Sequence, residues 1–181
     1  MRRLVPISLS SFVTVLLAVT LAACKSRKPE SAPAAEDSSA ELASMVHAAD
    51  PRAAVQLTSG FHPVEQNAWR WTMGRFSVVA KPPAGAAQKG ATLVLKFVIP
   101  DIEMQKLKSM TLSAATNGVK LEPETYTAPG EHTYSRDVPA SAMTGNAVTV
   151  NFALDKFLPP SESDNRELGL IVSTVGFEAK P

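Results

Sequence analysis

Cysteine, histidine and tryptophan are scarce in this 181-residue chain, which contains one, three and two of them respectively. Because Cys24 is the only thiol, no intramolecular disulfide can form, and the fold must be stabilised by its apolar core. The three histidines, His47, His62 and His132, lie far apart in the sequence and lack the spacing of metal ligands. We therefore expect no metal site and no cofactor.

The charges of the chain nearly cancel, with 18 Lys+Arg against 17 Asp+Glu and a formal net charge of +1. A protein that binds nucleic acid needs a basic stripe, so this balance argues against a nucleic-acid partner. No Gly-x-Ser-x-Gly motif occurs, and the sequence suggests no Ser/His/Asp set for nucleophilic catalysis. We expect no catalytic residues and a protein that is not an enzyme.

Residues 1–23 have the pattern of a secretory signal peptide. Two arginines near the start precede an apolar run over residues 12–23, which is too short to span a bilayer comfortably. The run ends in Leu21-Ala22-Ala23-Cys24, which resembles the lipobox of bacterial lipoproteins. The resemblance implies cleavage before Cys24 and a diacylglycerol (two palmitate-type chains) on its sulfur, which is enough lipid for stable anchoring. The alternative is an ordinary signal peptide with an incidental Cys24.

The residue after the cysteine bears on localisation. Lys25 follows the cysteine, at the position where an Asp favours retention in the inner membrane of enterobacteria. In the absence of this Asp the chain resembles outer-membrane lipoproteins. We expect a chain of the cell envelope, anchored by lipid in the outer membrane and facing the periplasm or the cell surface.

Residues 24–55 are expected to form the lipid anchor, a disordered tether and one short helix. Residues 25–39 are rich in Pro, Ala, Ser and charge and cannot bury enough apolar surface to fold. Ser38-x-x-Glu41 fits a capping box, and Asp50-Pro51 would end the helix. Its apolar face would follow the i, i+3, i+4, i+7 spacing of Leu42, Met45, Val46 and Ala49.

From residue 56 to residue 181 the apolar residues alternate with polar ones, which is typical of strands. The segments Thr92–Ile99 and Val148–Leu154 show this alternation, and Asn117-Gly118 between two such segments is a strong hairpin signal. Prolines and glycines punctuate the remainder at short intervals. The pattern predicts seven or eight strands in an all-β domain, an antiparallel, jelly-roll-like β-sandwich.

Two clusters stand out within this domain. The first runs from Gly60-Phe61 through His62 and Glu65 to Trp69-Arg70-Trp71, and the second is Asp164-Asn165-Arg166-Glu167-Leu168-Gly169. Together they resemble a β-sandwich module of bacterial envelope proteins that is often attached to glycosyltransferases or sugar-phosphate transferases. The matching positions are Gly60, Phe61, Glu65, Arg70, Trp71, Asp164, Arg166, Leu168 and Gly169. The resemblance implies a sandwich shaped like a carbohydrate-binding module.

The clusters allow two interpretations. In the first they bind a ligand: a tryptophan ring contacts a sugar face while arginine and carboxylate groups bind hydroxyls or a phosphate. The candidate ligand-binding residues are His62, Glu65, Trp69, Arg70, Trp71, Asp164 and Arg166. In the second interpretation, an Arg–Glu ion pair fixes the strands and tryptophan fills the core.

Three functions follow, of which the first is the leading prediction and the third is the least favoured. The first is a non-catalytic, membrane-anchored envelope module that binds glycan or a glycan-handling partner. The second is a structural or assembly lipoprotein that binds another envelope protein through a sheet edge or an apolar patch. The third is a glycan hydrolase, in which Glu65 and Asp164 would flank a glycosidic bond.

Overall fold

The computed structural model describes residues 41–181. Residues 1–40 lie outside the described part, and with them the predicted signal peptide, Cys24 and the tether. The described chain is built from strands β1 (Met45–His47), β2 (Leu57–Glu65), β3 (Trp69–Ala80), β4 (Ala91–Ile99), β5 (Met110–Thr116), β6 (Val119–Tyr126), β7 (Gly130–Val138), β8 (Val148–Leu154) and β9 (Ile171–Ala179). Short helices α1 (Ala86–Lys89) and α2 (Asp101–Leu107) and the 3-10 turns Pro51–Val55 and Ala140–Ala142 connect them.

All strand pairs of this sheet are antiparallel. The strand order is β6-β5-β8-β3-β9-β4-β7, with β1 added beside β9 and β2 beside β3. The two ends of this order approach each other, since the Tyr134 hydroxyl on β7 donates a 2.8 Å hydrogen bond to the Glu122 carbonyl on β6. The predicted antiparallel β-sandwich is therefore confirmed, in the form of one sheet that curls until its edges nearly meet.

Strand β3 connects the two halves of the sheet. It pairs with β9 through Arg70 and Trp71, and with β8 through Arg75–Ala80. Between these ladders, residues 72–74 have no strand partner on that side and bind the loop before β9 instead. The gap in the ladder brings this loop against the middle of β3, where both sequence clusters meet.

The core follows from the alternation that the sequence shows. Along β3 the even-numbered residues Phe76, Val78 and Ala80 are buried and their odd-numbered neighbours are more exposed. Phe76 stacks on Phe152 of the paired strand β8 with ring centroids 4.8 Å apart. At about 25 cal/mol for each Å² of apolar surface removed from water, burial of such side chains is the main stabilising contribution in a chain without disulfides.

The helix predicted over residues 38–49 is wrong for the residues that the structure describes. Met45–His47 forms β1, and Val46 pairs with Val175 of β9. Val46 and Ala48 are buried while His47 is exposed, so the period is two and not 3.6. Gly176 permits the close approach of β1, because a Cβ atom there would lie 2.1 Å from the Ser44 carbonyl oxygen. The folded domain therefore begins ahead of residue 56.

Among the described residues, the helices are all too short, or too polar, to cross a lipid bilayer.

Candidate functional site

The second sequence cluster is bound to the first through backbone hydrogen bonds in the gap of β3. The Thr72 N–H donates to the Leu170 carbonyl at 2.8 Å, and the Gly169 N–H donates to the Thr72 carbonyl at 2.7 Å. The Leu170 N–H donates to the buried Thr72 hydroxyl at 2.9 Å. The loop thus takes the place of a strand partner for the middle of β3.

Side chains of the second cluster complete this attachment. The Glu167 carboxylate accepts a 2.6 Å hydrogen bond from the Gly74 N–H, and the Glu167 carbonyl lies 2.7 Å from Nε2 of the buried His62, which donates to it. Arg166 binds two carboxylates at once, Glu65 at 2.6 Å and Asp164 at 2.9 Å. These contacts tie β2 to the loop ahead of β9.

Arg70 is engaged in the same way. Its Nε donates to the Ala48 carbonyl at 2.8 Å, and its guanidinium also donates to the His62 carbonyl at 3.1 Å. Five of the sequence-selected residues therefore have partners within the fold: His62, Glu65, Arg70, Asp164 and Arg166. Their geometry favours the structural interpretation for this part of the clusters.

The electrostatics of the Arg166 cluster bear on the hydrolase alternative. Hydrogen bonds from Arg166 lower the pKa of Asp164, and its two carboxylate partners in turn raise the pKa of Arg166. A general acid of a glycosidase needs a carboxyl group whose pKa is raised. Asp164 is held in the opposite state, with Glu65 bound to the same guanidinium.

The two tryptophans lie on the other face of the sheet. Neighbouring residues of a strand point to opposite faces, so Trp69 and Trp71 share the outer face while Arg70 does not. Trp71 is opposite Ile171, Ile171 is opposite Val98, and Val98 is opposite Glu131. This register sets one row of outer-face residues across β3, β9, β4 and β7.

The first row without Trp71, together with a second row beside it, lines an open groove of about 570 Å³. The members of the second row are Trp69, Ser173, Lys96 and Thr133, and Lys96 is directly opposite Thr133. Hereafter the outer-face groove means this cavity, bounded by Trp69 at one end and by Glu131 and Thr133 at the other. It combines an aromatic ring, hydroxyl groups and charges on a rigid sheet.

Trp69 lines the groove with a half-buried ring. Its indole nitrogen Nε1 is buried and lacks a hydrogen-bond partner among the described residues. A buried donor without a partner lowers the free energy of unfolding by about 1–3 kcal/mol. The buried N–H of Trp69 therefore destabilises the fold. The exposed part of the ring is available to a ligand.

Lys96 and Glu131 are the charged residues of the groove, and both are exposed. They lie diagonally across β4 and β7, yet neither forms an ion pair with a residue in the range 41–181. Sequence reasoning missed both of them, together with Ser173 and Thr133. The alternation of Thr92–Ile99 places Lys96 on the outer face, but only the strand order shows that Trp69 lies across β9 from it.

A metal site is not formed by the described residues, since no group of three or more His, Asp or Glu side chains among them is placed to hold an ion.

Comparison with known proteins gives limited similarity. No family model matches the chain, and no curated protein matches it. Among solved structures, one similar chain is the acetyl xylan esterase Est2A from Butyrivibrio proteoclasticus, with 12% identity and a TM-score of 0.41 over 76% of this chain and 33% of that one. Another contains the second CBM51 module, in complex with GlcNAc, and INT domains of ZmpB from Clostridium perfringens, with 12% identity and a TM-score of 0.36 over 75% of this chain and 27% of that one. This chain thus spans a third or less of either neighbour, and similarity at this level assigns no function.

Proposed function

We propose that this protein is a non-catalytic glycan-binding module of the bacterial cell envelope, held on a membrane by lipid attached to Cys24. The observation that carries the proposal is the half-buried ring of Trp69 in the outer-face groove, beside the hydroxyl groups of Ser173 and Thr133. Sugar rings present an apolar face that packs on an aromatic ring and hydroxyl groups that bind polar side chains. The groove is open at the surface, as recognition of a chain requires.

Trp69→Ala is expected to weaken polysaccharide binding about tenfold or more, because it removes the aromatic surface from the groove. Trp69→Phe should retain most of the binding and lose no stability, since it keeps a ring and deletes an unpaired N–H. Binding is measured with the full chain, purified in mild detergent, on immobilised envelope polysaccharides. Circular dichroism confirms the fold of each variant.

Arg166→Ala is the matched control, because it disrupts the structural cluster and not the groove. Its binding should stay within about twofold of the parent protein, while its free energy of unfolding falls by about 1 kcal/mol, given that the ion pairs are about one-third exposed. A folded parent protein that binds no polysaccharide would overturn the proposal. So would a folded Trp69→Ala variant that binds as the parent does.

The anchor is tested separately. Cys24→Ser is expected to move the protein from the membrane fraction to the soluble fraction and to abolish incorporation of labelled palmitate, because lipidation requires the thiol. Retention of the Cys24→Ser protein in membranes, after a wash with high salt, would contradict anchoring through this residue.

The second candidate function is binding of another envelope protein, which one surface favours. Ile102 on α2 is 53% exposed and borders a cavity of about 400 Å³ with Leu158, Pro159 and Leu168. Leu158 and Leu168 are half-buried, and an exposed apolar side chain beside such residues is typical of protein contacts. In that case Ile102→Ser would abolish the interaction, and Trp69→Ala would not affect it.

A further inference from the structure

The position of Lys96 within the outer-face groove bears on the charge of the ligand. Lys96 lies on β4, which has β9 on one side and β7 on the other. Its partners in the sheet are hydroxyl-bearing residues, Thr133 on β7 and Thr174 on β9. Ser173, next to Thr174, donates a 3.3 Å hydrogen bond from its hydroxyl to the Lys96 carbonyl. No carboxylate of the described residues forms an ion pair with the Lys96 ammonium group. A chain that crosses the groove from Trp69 must pass over this positive charge.

Glu131 carries the opposite charge but occupies a different place. It lies on β7, the last strand of the sheet order, and two residues before Thr133. A ligand that packs on Trp69 and crosses β9 reaches Lys96 first and meets Glu131 only at the rim. The charge at the centre of the groove is therefore the positive one.

We infer that the ligand is an acidic glycan, with a carboxylate or phosphate bound to Lys96 and a sugar ring packed on Trp69. The inference rests on the proposed glycan-binding function and deepens it. Trp69 and Lys96 are separated by β9, and strands are spaced by about 4.8 Å, so the two contacts are roughly 10 Å apart. That separation suits an anionic group about two sugar units along the chain from the ring that contacts Trp69. Glu131 disfavours a second anion at the rim and so selects for the spacing of charge along the glycan.

The test uses charge changes of opposite sign within one groove. Lys96→Gln should weaken binding of an acidic glycan by about fivefold or more, and Lys96→Arg should retain most of it. Glu131→Gln should instead tighten binding, by about twofold, because it removes repulsion from the rim. If the ligand is cationic, both effects reverse sign. Lys120→Gln and Glu122→Gln are the matched controls, since they make the same charge changes on a surface away from the groove and should alter binding little.

The probes are hyaluronan and alginate, each alongside its carboxyl-reduced form, and a teichoic acid, whose charge is phosphodiester. They are bound to the full chain in detergent at salt concentrations from roughly 0.05 to 0.5 M, over which screening weakens charge contacts. We expect acidic forms to bind better than reduced forms, with affinity that falls as salt rises. Preference for hyaluronan or alginate identifies a carboxylate ligand, and preference for teichoic acid identifies a phosphate ligand.

The outcomes separate the two proposals. Equal binding of acidic and reduced polysaccharides, lost in Trp69→Ala but unchanged in Lys96→Gln, overturns the acidic-ligand inference and leaves glycan binding in place. Binding of none of these probes, nor of any envelope polysaccharide, overturns both proposals.

Discussion

Glu103→Gln is expected to raise the free energy of unfolding at pH 8 by about 3 kcal/mol and to remove most of its decrease between pH 5 and pH 8. Glu103 lies on α2, is fully buried, and neither of its carboxylate oxygens has a hydrogen-bond partner among the described residues. Burial raises the pKa of this carboxyl group from 4.5 to about 8. The neutral acid is therefore the form that the fold accepts.

The sign of the effect follows from proton binding. Between pH 4.5 and pH 8 the folded protein holds a proton on Glu103 that the unfolded chain has released. Stability is consequently greatest below pH 4.5 as far as this group is concerned, falls as pH rises through this window, and levels off above pH 8. Glutamine has the same shape but does not ionise, so the contribution of residue 103 to the stability of the Glu103→Gln variant should hardly depend on pH.

Urea unfolding at several pH values measures both proteins. The matched control is Glu178→Gln on β9. Glu178 is exposed, so this substitution removes a carboxylate without changing the buried Glu103. This control should follow the pH dependence of the parent chain. Parallel stability curves for the parent and Glu103→Gln between pH 5 and pH 8 would show that Glu103 is solvated in the folded protein.

Gly60→Ala is expected to cost about 4 kcal/mol or more, or to prevent folding. Gly60 has a φ of +71°, and a Cβ atom there would lie 2.1 Å from the Arg75 carbonyl oxygen and 2.7 Å from the Phe76 Cα. Both contacts are with the backbone of β3, which the flanking ladders hold in place. The neighbouring Phe61 packs edge-on against Phe76 with ring centroids 5.4 Å apart, so displacement of β2 would also disturb the core.

Gly118→Ala separates the two causes of this loss. Gly118 has a similar φ of +81°, but no atom lies within 4 Å of its Cβ position. Its substitution adds only the strain of a left-handed conformation, about 1–2 kcal/mol. Denaturant midpoints of the two variants should therefore differ clearly. Equal losses would mean that β2 shifts to relieve the contact with β3.

Much of the sheet was predictable from the sequence because alternation directly reflects which face of a strand is buried. The segments Thr92–Ile99 and Val148–Leu154 appear as β4 and β8, and Asn117-Gly118 forms the turn between β5 and β6. Strand β1, Met45–His47, was not predictable, because a short run of apolar residues fits helical spacing as well as strand spacing. Its pairing with β9, more than a hundred residues later, decides the outcome.

The candidate site was predicted only in part. Trp69, Arg70 and Trp71 are consecutive in the sequence, and the ligand-binding interpretation counted all three as candidates. Strand geometry places Arg70 on the face opposite the tryptophans, where it binds backbone carbonyls. Lys96 and Glu131 join Trp69 only through the order of β3, β9, β4 and β7, which no local pattern contains.

The central position of β9 has a consequence for the order in which the fold can form. Residues 171–179 come late in the chain, yet β9 lies between β3 and β4 and also carries β1. Until this segment is present, β3 and β4 have no ladder to join them, and the two halves of the sheet are held together only by the chain connections between them and by the approach of β7 to β6. The sheet can therefore be completed only when nearly all of the domain is present. Most pairings are also distant in sequence, so the final step closes long loops and is expected to be slow.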